Sequence, residues 1–189
     1  GVEAVTRRQR HDSLPESLLA LEDQARLLVM GLHGESSSGA DSHVGSQLET
    51  VIRSVHRPIL LVPDEYTPPR SAMFAFDGSA TGFRAVELLA ASPLLKGLPL
   101  HLVMVGPDTG DRREQLQQAR TRLSDWQAEL TLAIRPGDVE PTLHAYQEEH
   151  DIDLLMMGAY GHSRLRQFLL GSTTTTMLQT ATRPLVILR

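Results

Sequence analysis

An α/β fold, built on a five-stranded parallel sheet flanked by helices, is what this sequence predicts, and three observations predict it. Short apolar runs alternate with amphipathic stretches from Ser71 to Arg189, the pattern of a sheet covered on both faces. Turn residues follow those runs at their carboxyl ends, as in Asp77-Gly78-Ser79, Gly106-Pro107 and Gly158. In parallel sheets ligands bind outside those ends, where the strand order reverses. The third observation is repetition at a nearly constant offset. Arg57-Pro58-Ile59-Leu60-Leu61-Val62 returns as Arg183-Pro184-Leu185-Val186-Ile187-Leu188, and Gly45-Ser46 returns as Gly171-Ser172. Leu27-Leu28-Val29-Met30-Gly31 likewise returns as Leu154-Leu155-Met156-Met157-Gly158.

Taken in order, Ser71–Phe76 reads as a buried strand closed by the Asp77-Gly78-Ser79 turn. Thr81 to Ala91 place Phe83, Val86, Leu89 and Ala90 at helical spacing. Leu98–Val105 is the second strand. Arg112–Glu129 is a polar helix with Leu116, Ala119, Leu123 and Trp126 as its inner stripe. Leu130–Ile134 is the third strand, stopped by Pro136-Gly137. A helix over Val139–Glu149, a strand over Ile152–Met157, a helix over Ser172–Thr180 and a strand over Leu185–Leu188 complete the alternation. Right-handed crossovers leave few ways to connect these elements.

The repeat divides the chain unequally. Residues 71–189 are long enough for a complete small domain. Residues 1–62 carry only the last part of a second copy, and residues 63–70 (Pro63 to Arg70) form a proline-stiffened linker. The first copy lacks a strand-one aspartate and a second strand, so it builds no pocket of its own. The chain opens on Gly1 rather than Met, as expected of a fragment or a processed product.

Composition excludes several functions. Of 189 residues, 41% are hydrophobic, and 23 acidic against 18 basic side chains give a formal net charge of -5. A negative surface gives no footing for nonspecific nucleic-acid or bilayer binding. There are no cysteines, which removes disulfides, zinc thiolates and thiol catalysis. No apolar run approaches a membrane span and no signal-peptide pattern opens the chain, so a cytoplasmic location is expected.

The chemistry concentrates in Gly158-Ala159-Tyr160-Gly161-His162 and, with nine residues between it and Gly161, Gly171-Ser172-Thr173. Glycines at a strand exit let a ligand pass close to the backbone. A helix beginning at Ser172 offers free N–H groups and a positive dipole end, which suit phosphate. No G-x4-G-K-[ST] and no G-x-G-x-x-G after a strand is present, which excludes the P-loop and classical dinucleotide sites.

On these residues, with Phe76-Asp77-Gly78-Ser79 after strand one and Val103-Met104-Val105 ending strand two, residues 71–189 resemble a complete universal stress protein domain. Residues 1–62 resemble the tail of another, so the whole looks like a tandem-domain member with its first domain truncated. The resemblance implies a Rossmann-like, adenine nucleotide α-hydrolase-like fold with strand order 3-2-1-4-5. It further implies that Asp77 and the backbone of Val105 hold the adenine. Gly158, Gly161, His162, Gly171, Ser172 and Thr173 would then hold the ribose and phosphates. The ligand so implied is ATP, or AMP or ADP, with or without Mg²⁺. A carboxylate suits the amino group of a base and repels phosphate, which agrees with Asp77 at the base end. The family's final strands pair antiparallel, so the resemblance also implies that Ile59–Val62 lies against Leu185–Leu188, within the chain or in a partner chain, and a homodimer through Pro58–Val62 and Pro184–Leu188.

No general base stands out. Arg164 and Arg166 read as a solvated loop face, and nothing fixes Asp108 and Asp111 as metal ligands. His11, His33, His43 and His56 lack ligand-like spacing. No nucleophile elbow is present. No catalytic residue and no protein-held metal site is assigned. The expected function is a stress-response module that binds an adenine nucleotide. The alternatives are an interaction scaffold of the same fold without a ligand, and a slow nucleotide hydrolase.

Overall fold

The structure, a computed structural model, describes residues 13–32, 46–93, 95–158 and 172–188. For residues 46, 47, 172 and 173 it describes the backbone alone. In chain order the elements are α1 (Leu14–Leu19), β1 (Leu28–Gly31), α2 (Ser46–Ser54), β2 (Ile59–Val62), β3 (Ala72–Ala75), α3 (Ala80–Ala91) and β4 (Leu100–Val105). There follow α4 (Gly110–Arg122), β5 (Leu130–Arg135), α5 (Val139–Glu149), β6 (Leu154–Gly158), α6 (Ser172–Thr180) and β7 (Leu185–Leu188).

All seven described strands form one sheet in the order β1-β2-β7-β6-β3-β4-β5. The five strands from β3 to β7 are mutually parallel and take the expected order. The expectation of a five-stranded sheet is corrected to seven. The added pair, β1 and β2, comes from the stretch that reads as a partial copy, but it extends the same sheet and forms no clear second copy.

The addition works through backbone groups. β2 lies antiparallel to β7, with Ile59 opposite Ile187 and Leu61 opposite Leu185, while β1 lies parallel to β2. The pairing expected between the final strands is thus formed inside one chain. β2 is bonded by β1 and β7, and β7 by β2 and β6, so neither keeps an open edge for the homodimer expected through Pro58–Val62 and Pro184–Leu188. The carboxyl ends of β1 and β2 consequently point to the rim opposite that of β3 to β7.

Side-chain alternation sorts the core into two layers. On one face Leu61, Met73, Val103, Leu155, Leu185 and Ile187 meet Val51 and Ile52 of α2, Leu143 and Tyr146 of α5, and Met177 of α6. On the other, Phe74, Leu102, Met104, Met156 and Val186 meet Val86 and Leu89 of α3 and Leu116 and Ala119 of α4. β4 is sealed by both, which is why its run Leu102-Val103-Met104 is apolar throughout.

Helix α4 is shorter than its apolar spacing suggests. It ends at Arg122, with Leu123 capping it. Trp126 still packs into the second layer at 9% exposure, but from a turn, with its indole N–H donating to the Leu98 carbonyl at 2.9 Å. The stretch before β6 also differs. Asp151 takes a left-handed φ of 48°, Ile152 is buried outside the strand, and β6 begins at Leu154.

Candidate functional site at the carboxyl rim

β6, β3 and β4 are neighbours in the sheet and parallel, so their carboxyl ends share one rim. After β3 the chain steps outward to β4 and β5, then returns to place β6 on the other side of β3. The reversal of strand order therefore falls between β3 and β6, where crossovers leave on opposite faces and open a crevice.

Three expected site residues stand at this rim. Ala75 is level with Val103 on one side and Met157 on the other. Asp77 and Val105 each lie two residues further on, and Gly158 one residue beyond Met157. Val105 is half-buried at the end of β4, level with Arg135. Gly158 is half-buried, with open space where a Cβ would stand. Ser172 and Thr173 open α6, as expected, by their backbone. Gly161, His162 and Gly171, with Arg164 and Arg166, lie outside the described residues.

Asp77 is exposed, and its geometry is that of a turn. Its Oδ1 accepts from the Ser79 N–H at 2.9 Å and the Ser79 hydroxyl at 2.7 Å. Ser79 in turn caps α3, its Oγ accepting from the Gly82 N–H at 3.0 Å. A Cβ on Gly82 would stand 2.6 Å from Asp77 Oδ1, so the carboxylate leans back over the first turn of the helix. One carboxylate oxygen is thereby committed to the loop, which is ordinary chemistry for Asp and Ser at a helix start.

Two side chains that sequence reading missed come from α4. Gly78 and Gly106 hold left-handed φ angles of 72° and 136°, conformations that favour glycine. The space where their Cβ atoms would stand is taken by the side chains of Gln115 and Arg112. Arg112 donates from Nη1 to the Pro107 carbonyl at 3.0 Å. Both side chains lie over the exits of β3 and β4. Neither is distinguished in the sequence, because the signal is a φ angle of a distant glycine.

Some of the polar groups near this rim are already paired. Asp108 accepts two hydrogen bonds from Arg113, each of 2.8 Å, and this pairing holds its carboxyl below the usual range. Among the described residues no group of three His, Asp or Glu is placed to hold a metal ion. His56 is paired with Glu22, its N–H donating to Oε2 at 2.8 Å. On the opposite rim a polar cleft of about 280 Å³ is lined by Glu65, Asp151, Asp153 and Arg183 among others. Its aspartates are paired: Arg70 reaches Asp151 and Asp153 at 3.5 and 3.4 Å, and Arg183 donates to the Ile152 carbonyl.

On β4, His101 Nδ1 is 2.9 Å from the Tyr146 hydroxyl, with the His150 ring 5.2 Å away and tilted by 49°. Burial, then the neighbouring His150, pushes the His101 imidazole below its ordinary value, against a smaller opposing pull from Glu129.

The model of the universal stress protein family matches residues 69–189. The chain belongs to the universal stress protein family. A universal stress protein of Synechocystis sp. is 35% identical over 191 residues, covering 100% of this chain and 67% of the relative. One from Mycobacterium tuberculosis is 21% identical over 202 residues, covering 95% of this chain and 63% of its own length. The chain thus spans about two thirds of the curated relatives it matches. Among solved structures, a universal stress protein from Archaeoglobus fulgidus aligns with a TM-score of 0.68 at 19% identity, over 93% of this chain and 64% of that one. A universal stress protein solved in complex with cAMP aligns with a TM-score of 0.53 at 19% identity, over 65% of this chain and 99% of that one. These likenesses establish the α/β fold. Among the described residues no helix is long and apolar enough to cross a membrane.

Proposed function

We propose that this universal stress protein is a cytoplasmic stress-response module that holds an adenine nucleotide across the carboxyl ends of β3, β4 and β6. ATP is the preferred form, with AMP or ADP as its alternatives and Mg²⁺ as an accompanying ion. The observation that carries the reading is the reversal of strand order between β3 and β6, with Asp77 and Gly158 at the carboxyl exits of those two strands and Val105 ending the neighbouring β4. The base sits between the ends of β3 and β4. The phosphates lie toward Gly161, His162 and Gly171 and the start of α6 at Ser172 and Thr173, whose N–H groups suit an anion. A family relative solved with cAMP supports the ligand class. The recurrence of the β1 and β2 sequences in β6 and β7 supports reading residues 1–62 as the last part of a second copy, with 63–70 as linker and 71–189 as the complete domain.

Output would come from a change of shape or partner affinity. No general base stands out in the sequence, and among the described residues Asp108 is engaged by Arg113, so turnover is the less favoured reading. The second reading, a ligand-free scaffold, is favoured by the commitment of Asp77 Oδ1 to Ser79. The deciding experiment is the nucleotide content of the purified protein after heat release, with calorimetric titration of ATP and Mg²⁺. Near-stoichiometric adenine nucleotide, lost in Asp77→Ala, supports the module. No nucleotide, and no heat on adding ATP and Mg²⁺, leaves the scaffold.

A further inference from the structure

Resting on the nucleotide reading, we infer that Gln115 selects the base at this rim, its carboxamide pairing with the amino group and N7 of adenine. Gln115 lies on α4, outside every motif that marks the site in the sequence.

Three observations lead there. One oxygen of Asp77 is spent on Ser79, so the exit of β3 needs a further group to read a base edge. Gln115 stands at that exit: a Cβ on Gly78 would lie 2.7 Å from its Cδ and 3.0 Å from its Nε2. The left-handed glycine is what admits the amide. Finally, Gln115 is half-buried, yet its amide makes no hydrogen bond to any described residue. Three polar neighbours on the same helix are engaged: Arg112 with Pro107, Arg113 with Asp108, and Gln118 with Glu114 at 3.2 Å, while Asp111 and Gln117 stay exposed. The amide atoms keep contact with solvent, so a ligand would displace only water from them. Here the donors and the acceptor of one amide are left facing the rim.

The chemistry of an amide then narrows the ligand. It presents one acceptor and a donor side by side. The amino and N7 edge of adenine presents the complement, whereas the same edge of guanine offers two acceptors, O6 and N7. A carboxamide therefore pairs twice with adenine and once with guanine. A guanidinium at the same place would donate twice, and favour guanine. Backbone groups at the end of β4, by Val105, are left to meet the other edge of the base.

The test compares ATP, GTP and 7-deaza-ATP, which lacks only the N7 acceptor, on wild type, Gln115→Leu and Gln115→Arg by calorimetric titration. Wild type is expected to bind ATP about tenfold or more tighter than 7-deaza-ATP or GTP, the discrimination of one bidentate pair. Gln115→Leu should level ATP with 7-deaza-ATP, and Gln115→Arg should move the preference to GTP. Equal binding of ATP and 7-deaza-ATP by wild type overturns the assignment while leaving the nucleotide reading intact. So does a gap between them that survives in Gln115→Leu. A wild type that binds none of the three removes the nucleotide reading and this inference together. Circular dichroism of each variant confirms that α4 is retained.

Discussion

Replacing Leu61 by alanine asks whether β1 and β2 are part of one cooperative sheet or an appended piece that melts by itself. Leu61 is 0% exposed and sits opposite Leu185 in the antiparallel ladder, within the first layer of the core. Losing three buried carbons forfeits about 2.4 kcal/mol at about 0.8 per methylene. A cavity that relaxes incompletely raises the total to about 3 kcal/mol. For a chain of this size each kcal/mol lowers the melting temperature by about 2–4 °C, so Leu61→Ala should fall by about 6–12 °C. The protein supplies its own distant reporter. The single Trp126 lies in the opposite layer, under α4, far along the sheet from β2. In one cooperative unit, Trp126 fluorescence and far-ultraviolet dichroism shift together by that amount. A Trp126 transition that stays at the wild-type temperature while the dichroism loses an early step would refute the reasoning. Val29→Ala is the control, because Val29 is 60% exposed and should shift stability by less than about 0.5 kcal/mol.

Three further outcomes are expected. Burial, then His150, holds the His101 imidazole below its ordinary pKa of 6.5 in the folded chain. The unfolded chain then binds the extra proton first, so this contribution is full above 6.5 and is lost as pH falls through the folded value. Urea midpoints taken above and below 6.5 should drop on the acid side, and drop less in His101→Gln. Gly106→Ala must place a Cβ at a φ of 136° and dislodge the Arg112 guanidinium. It should cost about 1–3 kcal/mol, read as a fall in melting temperature. Ser79→Ala removes the cap of α3 and one of the bonds to Asp77 Oδ1. It should cost about 1 kcal/mol in a urea titration.

The parts of the fold legible in the sequence were those set by local pattern. Apolar runs such as Leu100–Val105, bounded by glycine or proline, became strands, and their carboxyl ends met at one rim. The antiparallel contact between Ile59–Val62 and Leu185–Leu188 was legible only through the family resemblance, since nothing local distinguishes an edge strand from a central one of the same composition. Helix α4 was read past its end because Leu123 and Trp126 continue the helical spacing. A side chain reaching the core from a turn leaves the same periodic trace. The site was legible as backbone: Asp77, Val105 and Gly158 were found at strand exits. Which way a carboxylate leans is decided by a hydrogen bond two residues along, and Asp77 turned to Ser79. Gln115 and the pairing of His101 with Tyr146 were invisible, since each joins residues far apart in the chain through geometry that composition does not encode.

The ladder between β2 and β7 also sets a timetable for synthesis. Ile59 leaves the ribosome long before Ile187, its partner roughly 130 residues later, and a chain growing at about 5–20 residues per second makes the wait roughly 6–25 s. Throughout that interval one edge of β2 is an apolar row of unpaired N–H and C=O groups, a template for any passing strand. The sheet therefore cannot close until β7 has been made. Products interrupted shortly before Leu185 would carry that edge permanently, and should be the aggregating species in any cell that makes them.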